Sequence, residues 1–177
     1  LVQPQRELDE LAKIAHKKNL KVHLDGARLF NAHIKTGLSM KQLTSTFDSV
    51  SICLSKGLGA PVGSLLVSNQ EIIKKAHRLR KLLGGGMRQV GVIASCGMYA
   101  LENNIQRLQE DHDNAKILAE GLSSIRELSV DFSESQTNMV FVNCPEPHRK
   151  PLEKFLFGKE IIISNLDRGR LVCHLGI

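Results

Sequence analysis

Apolar positions in the first hundred residues recur at spacings that are typical of helices and strands. A helix is predicted over residues 4–19, because its apolar side chains fall on one face. Three strands are predicted after it, over residues 21–25, 47–54 and 64–67. A second helix begins after Asn69, a residue type that caps helices, and a run of three glycines ends it near Leu83.

The second half of the chain changes from long helices to short strands. The predicted elements are helices near 90–101 and over 105–122, and strands over 139–142, 161–164 and 171–173. A proline-containing stretch, 144–151, separates the first two of these strands. Because helices and strands alternate before residue 105, we expect an α/β domain over 1–104 and a smaller α+β domain over 105–177.

The composition fits a protein with a packed core and argues against two kinds of partner. Of the 177 residues 42% are hydrophobic, yet no apolar run reaches the roughly 18 residues that a membrane helix needs. With no Trp and one Tyr, the chain offers little for nucleic-acid bases to stack on. We therefore expect neither a membrane nor a nucleic-acid partner.

The cysteines and the first residue bear on the cell compartment and on completeness. The four cysteines lie far apart and form no CxxC pair, which argues against a zinc site or a disulfide framework. We expect reduced thiols in a cytoplasmic protein, with no bound metal. Because the chain starts with Leu1 and shows no signal-peptide pattern, we expect it to be part of a longer protein.

Positive charge concentrates in one predicted helix. The formal net charge is +6, and the cluster consists of Lys74, Lys75, His77, Arg78, Arg80 and Lys81. Two interpretations stay open: the cluster is a solvated helix face, or it forms part of a phosphate-binding site.

Two predicted strands end in residues that together suit a carbonyl cofactor. Asp25 ends one strand, while Lys56 follows another and precedes Gly57 and Gly59. Each residue alone also fits an ordinary turn. Together they are what a pyridoxal phosphate (PLP) site needs, because a carboxylate keeps the pyridine nitrogen protonated and a lysine binds the aldehyde as a Schiff base.

The charge of Asp25 is essential to this hypothesis. A carboxylate about 4 Å away stabilises a partly shielded cation by roughly 4 kcal/mol. That free energy corresponds to about three pKa units, enough to keep the ring nitrogen protonated at neutral pH. An asparagine at this position would not provide the stabilisation.

Four stretches of the sequence together resemble one enzyme family. They are, in order, HLDGARLFNA, SICLSKGLGAPVGSLLV, LGGGMRQVG and RLVCHLGI. In order and spacing they resemble low-specificity L-threonine aldolases, a branch of the aspartate-aminotransferase-like (fold type I) PLP enzymes, over essentially the whole chain. The resemblance implies an α/β fold, made of the C-terminal half of a fold type I large domain and a small α+β domain.

The resemblance implies roles for three residues near the strand ends. Lys56 resembles the Schiff-base lysine, and Asp25 resembles the partner of the pyridine nitrogen. Arg28 resembles the arginine near the phenolic oxygen of the cofactor and the substrate carboxylate. A structural ion pair between Arg28 and Asp25 is the alternative for Arg28. We expect His23 to pack near the sheet rather than to catalyse.

Three further basic residues acquire roles by the same resemblance. Lys81 and Arg88 resemble residues that reach the cofactor phosphate of a neighbouring subunit. Arg170 resembles the small-domain arginine that binds the substrate carboxylate. The alternatives are helix-end charges for the first two residues and an exposed strand position for Arg170.

The implied activity is a retro-aldol cleavage of L-threonine or L-allo-threonine to glycine and acetaldehyde, in threonine degradation and glycine formation. The implied assembly is a homo-oligomer, either a dimer or a tetramer. Two alternatives remain: another fold type I lyase that performs β-elimination, and an inactive truncated product that only associates with full-length subunits.

The resemblance also implies groups that these residues do not contain. In the family, the group that stacks on the ring, the phosphate loop and a histidine base precede the position of Asp25, and a closing helix follows that of Ile177. Only 24 residues precede Asp25, so we expect the 177 residues to be an inactive fragment. Cys173 and Gly176 stand where the family pattern has Thr and an acidic residue.

Overall fold

A computed structural model describes residues 1–163 and 165–177 and divides the chain into two compact units. The first unit is Gln3–Leu108, and the second comprises Gln109–Ile177 with Leu1–Val2. Within the described residues no helix is both long and apolar enough to cross a membrane. The assignment of a large and a small catalytic domain stays a prediction.

The first unit alternates helices with three strands. Its elements are α1 (Gln5–Lys17), β1 (His23–Gly26), α2 (Leu29–Thr36), α3 (Met40–Thr44), β2 (Ser49–Cys53), β3 (Ser64–Ser68), α4 (Gln70–Leu82) and α5 (Gly91–Asn103). The strand order is β1-β2-β3, with β2 parallel to β1 and antiparallel to β3. Because β1 and β2 are parallel, their carboxyl ends lie at the same edge of the sheet.

The two faces of this sheet differ in chemistry, as the alternation of the sequence requires. One face carries Val50 and Ile52, which pack with Leu29 and Leu43 in a hydrophobic cluster. The other face carries Asp25 and, two residues before it, His23, whose Nδ1 lies 2.8 Å from the Ser49 hydroxyl. His23 thus lies within hydrogen-bond distance of the neighbouring strand on this face.

Hydrogen bonds at the helix starts explain two of the helix boundaries. The Asn69 side chain accepts a hydrogen bond from the Ile72 N–H, which confirms the predicted start of α4. In α3 the Ser39 hydroxyl accepts from the Gln42 N–H, while the Gln42 side chain accepts from the Ser39 N–H. This reciprocal capping starts a five-residue helix that the hydrophobic pattern did not predict.

The second unit packs a long helix against an antiparallel sheet. The elements are α6 (Leu108–Ser123), which begins at the last residue of the first unit, β4 (Ser129–Val130), β5 (Met139–Asn143), α7 (Glu146–Phe157) and β6 (Gly169–Val172). The strand order is β4-β5-β6. Ala115 and Ala119 of α6 pack against Val140 and Cys173 in the core of the unit.

The second unit contains one helix that the sequence did not predict, and the strand predicted over 161–164 was wrong for its described residues. Most of the proline-containing stretch 144–151 is helical, because it forms the start of α7 with a proline in the first turn. Residues 161–163 are not a strand, and Ser164 lies outside the described residues. The Ile161 N–H instead donates to the Leu156 carbonyl and ends α7, with Glu160 in the left-handed conformation at φ 61°.

Candidate active site

Asp25 lies at the carboxyl end of β1, level with Ser51 of β2. Its Oδ1 accepts a hydrogen bond from the Ala27 N–H at 3.1 Å, which fixes the turn that follows the strand. The side chain is exposed, and no described cation forms an ion pair with it. The carboxylate is therefore oriented by the backbone and open to a ligand at the edge of the sheet.

Lys56 lies at the same edge, three residues beyond the end of β2. Asp25 pairs with Ser51 of β2, and Lys56 follows five residues later, in the loop that leaves β2 at the same end of the sheet. The Gly59 N–H donates to the Lys56 carbonyl at 2.9 Å and closes a turn with the lysine at its first position. Lys56 is exposed while Leu54 and Leu58 on either side are buried.

Arg28 also lies at this edge and is half-buried at the N-terminus of α2. Among the described residues no ion pair joins Arg28 to Asp25, so the structure gives no support to a structural pair between them. The structure thus brings Asp25, Arg28 and Lys56 to one edge of one sheet without pairing any of them with another. An acidic and two basic groups at this edge suit a ligand that carries both a basic nitrogen and anionic groups.

Cys53, the last residue of β2, is a neighbour of Lys56 that the sequence did not single out. Burial raises the pKa of its thiol, but the hydroxyl and N–H of Ser55, the Ser64 hydroxyl and the charge of Lys56 together hold that pKa below its ordinary value. Its Sγ lies 3.4 Å from the Ser55 hydroxyl. This end of β2 therefore favours negative charge.

Among the described residues, no hydrogen bond or ion pair links Lys81 or Arg88 to Lys56. Lys81 lies in the last turn of α4, and Arg88 lies in the exposed segment that follows it. Neither side chain bonds to the strand ends or to the loop of Lys56. A surface pocket of about 490 Å³ is lined by His77, Arg78, Lys81 and Leu82.

Arg170 belongs to the second unit. It lies on β6 directly opposite Phe141 of β5, while the neighbouring pair, Leu171 and Val140, faces the hydrophobic cluster. Arg170 is exposed on the other face of this sheet. Nearby Cys173 is buried, and burial, together with the Asp111 carboxylate, raises the pKa of its thiol. The cysteine thus serves the core of the unit.

Sequence relatives support the resemblance. The chain is 48% identical over 176 residues to the low specificity L-threonine aldolase of Escherichia coli O157:H7, covering 99% of this chain and 52% of the relative. It is 44% identical over 171 residues to low-specificity L-threonine aldolase 1 of Arabidopsis thaliana, covering 94% of this chain and 48% of the relative. The chain thus spans about half the length of the curated relatives it matches.

Comparison with solved structures supports the fold, and a family model identifies the family. The Leishmania major threonine aldolase structure superposes with a TM-score of 0.73 at 16% identity, covering 98% of this chain and 52% of that one. At this identity the superposition shows the fold alone, a mixed α/β fold of the fold type I kind. The model of the beta-eliminating lyases matches residues 1–145. The chain therefore belongs to the beta-eliminating lyase family, whose members are PLP enzymes.

Proposed function

We propose that this chain supplies the lysine-bearing part of an aldehyde-lyase that cleaves L-threonine and L-allo-threonine to glycine and acetaldehyde. The observation that carries the proposal is that Asp25, at the carboxyl end of β1, and Lys56, just beyond the carboxyl end of the parallel strand β2, lie at one sheet edge, both exposed and neither ion-paired. The names of the sequence relatives supply the substrate class.

Asp25 and Lys56 fit the two ends of PLP. When bound, PLP supplies an electron-accepting ring that takes up the electron pair released at the substrate α-carbon. Asp25, with its Oδ1 oriented by the Ala27 N–H, holds the proton on the ring nitrogen. The Lys56 amine would hold the cofactor through its aldehyde until the amine of the substrate takes its place.

Arg28 and Arg170 are proposed to bind the substrate carboxylate. A guanidinium presents a planar pair of donors that matches a carboxylate, so the two residues fix the orientation of the substrate. Orientation selects the reaction, because only a bond aligned with the π-system of the ring is weakened. Cleavage of the Cα–Cβ bond would transfer the β-hydroxyl proton to a base, release acetaldehyde and leave an α-carbon that regains a proton to give glycine.

Lys81 and Arg88 are proposed to bind the cofactor phosphate of a neighbouring subunit in a homodimer or homotetramer. Both are exposed, and the pocket beside Lys81 is lined by further basic side chains. Leu82 and Leu83, which follow Lys81 in sequence, are large apolar residues that remain exposed in the single chain. An exposed apolar patch beside unpaired cations supports burial against another subunit.

Borohydride trapping is the direct test of this proposal. The full-length gene product is incubated with PLP and reduced with borohydride, and the labelled lysine is located by peptide mapping. We expect the label on Lys56, no label after Lys56→Ala, and weakened cofactor binding after Asp25→Asn. A label on any other lysine, or no label in the parent protein, would overturn the proposal.

A β-elimination remains the second candidate, because the matching family model describes beta-eliminating lyases. It would use Lys56 and Asp25 in the same roles but break a bond between the β-carbon and its leaving group. Product analysis separates the two reactions. Glycine and an aldehyde support the aldolase, whereas a keto acid and ammonia support the elimination.

We propose that the 177 residues by themselves are poorly stable and do not turn over threonine. Leu65, Leu66 and Val67 of β3 are all exposed, so a strand at the edge of the sheet is uncovered on both faces. We expect the purified 177-residue polypeptide to show no cofactor absorbance and no activity. Co-purification with full-length subunits, without cofactor, would favour the alternative of an inert associating product.

We further propose a cytoplasmic role in threonine degradation and glycine formation. Free cysteines support this compartment, since all four are unbridged and Cys96 is exposed. Cell fractionation with an antibody against the chain tests the location. Recovery in a secreted or membrane-enclosed oxidising fraction would contradict it.

A further inference from the structure

We propose that Asn104 is a positioning residue for Lys56, an inference that rests on the proposed function. The Asn104 side chain Nδ2 donates a hydrogen bond to the Leu58 carbonyl at 2.7 Å, although 46 residues separate the two. Leu58 is the third residue of the turn that starts at Lys56. Asn104 thereby fixes the backbone from which the lysine side chain extends.

The loop that carries Lys56 is closed on itself by backbone hydrogen bonds. The Gly59 N–H donates to the Lys56 carbonyl, the Ala60 N–H to the Leu54 carbonyl, and the Leu54 N–H to the Gly63 carbonyl. The three distances are 2.9, 3.0 and 3.0 Å. These bonds define the shape of the loop, so a contact that fixes one part of it restrains Lys56 as well.

Asn104 ties this loop to the end of α5 by a polar contact. It ends α5, where its own N–H donates to the Ala100 carbonyl at 2.9 Å, so its backbone is fixed. Leu58 is only 3% exposed, which leaves little access for water to replace the Asn104 amide. Loss of the amide would therefore leave a buried carbonyl without its donor.

Close packing restrains the turn at Gly57, the residue after Lys56. A Cβ at Gly57 would lie 2.9 Å from Leu108 Cδ2 and 3.3 Å from Asn31 Oδ1. The backbone of the turn is thus pressed against two neighbouring helices at one residue and hydrogen-bonded to Asn104 at the next. The Lys56 side chain is exposed, whereas the packing at Gly57 and the hydrogen bond at Leu58 hold its Cα in place.

A held Cα matters because the lysine amine ends a flexible four-carbon chain. A shift of the turn displaces the amine relative to Asp25, and rates of reactions between bound groups fall steeply with such displacements. Asn104 touches neither the cofactor nor the substrate in this scheme. Its effect passes through the backbone of Lys56.

The test compares Asn104 with the residue beside it in the full-length gene product. Asn104→Ala and the isosteric Asn104→Asp remove the donor to Leu58. Asn103→Ala is the matched control, because the Asn103 side chain is exposed and donates to Tyr99 within its own helix. The readouts are hydrogen exchange of residues 55–60 without cofactor, the rate of borohydride-trapped labelling at Lys56, and kcat and KM for threonine.

We expect exchange of this loop to be about 10-fold faster in both Asn104 variants and unchanged in Asn103→Ala. Labelling of Lys56 should slow, and kcat should fall about 10-fold with KM within about twofold, because the residues that bind the carboxylate are unaffected. Loop exchange and labelling equal to those of the parent would overturn the role of Asn104. No label on Lys56 in the parent would overturn the proposed function itself, leaving Asn104 a structural residue.

Discussion

Two regions of the first unit combine glycines with basic residues, yet they differ in how they are held. The strand-end region, residues 25–28 and 54–60, carries Lys56 between Leu54 and Leu58, which are 7% and 3% exposed. The exposed segment, residues 82–92, begins with Leu82 and Leu83, which are 78% and 83% exposed. The apolar side chains of the first region are buried within their own unit, and those at the start of the second region are not.

The glycines of the two regions serve different purposes. Gly57 is required for space, because a Cβ there would overlap Leu108. Gly84, at φ +81°, is required for its backbone conformation, and nothing lies within 4 Å of the place its Cβ would take. A glycine beside a basic residue therefore does not reveal whether a site is preformed. Burial of the neighbouring apolar side chains is the better indicator that a site is preformed.

This difference supports different origins for the two halves of the proposed cofactor site. The Ala27 N–H orients the Asp25 carboxylate, and backbone bonds within the unit hold the turn at Lys56, so we expect this half of the proposed site to be formed before a cofactor binds. Lys81 and Arg88 lie among exposed apolar side chains, which a second subunit would cover. The predictions below concern the full-length gene product and test this contrast.

The largest loss of stability is expected from Gly26→Ala, next to Asp25. A Cβ at Gly26 would lie 2.7 Å from the Ser51 carbonyl oxygen, a backbone atom that cannot move without separating β1 from β2. We expect a loss of about 3 kcal/mol in the free energy of unfolding, measured with urea at fixed protein concentration.

Gly86→Ala in the exposed segment is the matched control for Gly26→Ala. A Cβ there would meet its nearest neighbour, the Lys81 side chain, at an ordinary 3.5 Å. We expect a change within about 0.5 kcal/mol. Equal effects of the two substitutions would remove the contrast between the regions.

A smaller loss is expected from Gly57→Ala, because the atom it would meet ends a side chain. Leu108 Cδ2 lies 2.9 Å from the added Cβ, but Leu108 is buried and cannot rotate away freely. We expect a loss of about 1–2 kcal/mol. In a double-mutant cycle, the loss in free energy of unfolding caused by Gly57→Ala should be about 1 kcal/mol smaller when Leu108→Ala is also present. Strictly additive losses would show that the added Cβ and Leu108 do not clash.

The sequence predicted the elements whose signal is local. The apolar faces of α1 and α4 and the strand ends at Asp25 and Lys56 all follow from spacing within one segment. The helices α2 and α3, of eight and five residues, were not predicted, because helices this short depend on tertiary packing.

The remaining features depend on contacts between distant segments. Asn104 meets Leu58 across 46 residues, and no local pattern marks either of them. Residues 161–163 have the apolar composition of a strand, yet the Ile161 N–H is used to end α7. The residue types of the proposed site follow from the pattern and remain a prediction, whereas the contacts that support Lys56 are visible only in the folded chain.

The amino-terminal ends of β1 and β2, at the edge of the sheet away from Asp25 and Lys56, are joined by the carboxylate of Asp48, whose contribution to stability depends on pH. Lys21 Nζ, the Val22 N–H and His16 Nε2 each lie 2.9 Å from the Asp48 carboxylate. Their hydrogen bonds, led by that from Lys21, hold the pKa of Asp48 well below its usual range. Asp48 thus joins α1 and the start of β1 to β2.

A carboxyl group whose pKa is lower in the folded state stabilises the fold above its unfolded pKa, about 3.9. That stabilisation is lost as the pH falls below about 4 toward the folded pKa. We expect Asp48→Asn to have a lower free energy of unfolding than the parent at pH 7. Below pH 4 the free energy of unfolding should fall less steeply in the variant than in the parent. Urea unfolding measured across this pH range tests both expectations. Parallel curves for the two proteins would contradict the role of Asp48, and high salt should reduce the difference.

The smallest effect on folding is expected from Leu82→Ser combined with Leu83→Ser in the exposed segment. Both side chains already face solvent within the chain, so the free energy of unfolding at high protein concentration should change by less than about 0.5 kcal/mol. If a second subunit covers them, the dissociation constant of the oligomer, measured by sedimentation, should rise about 10-fold. Phe157→Ser is the matched control, since Phe157 is 72% exposed in the second unit and should leave assembly unchanged. Unaltered assembly in the double variant would mean that exposure of this segment does not mark a subunit contact, and that Lys81 and Arg88 act, if at all, within their own chain.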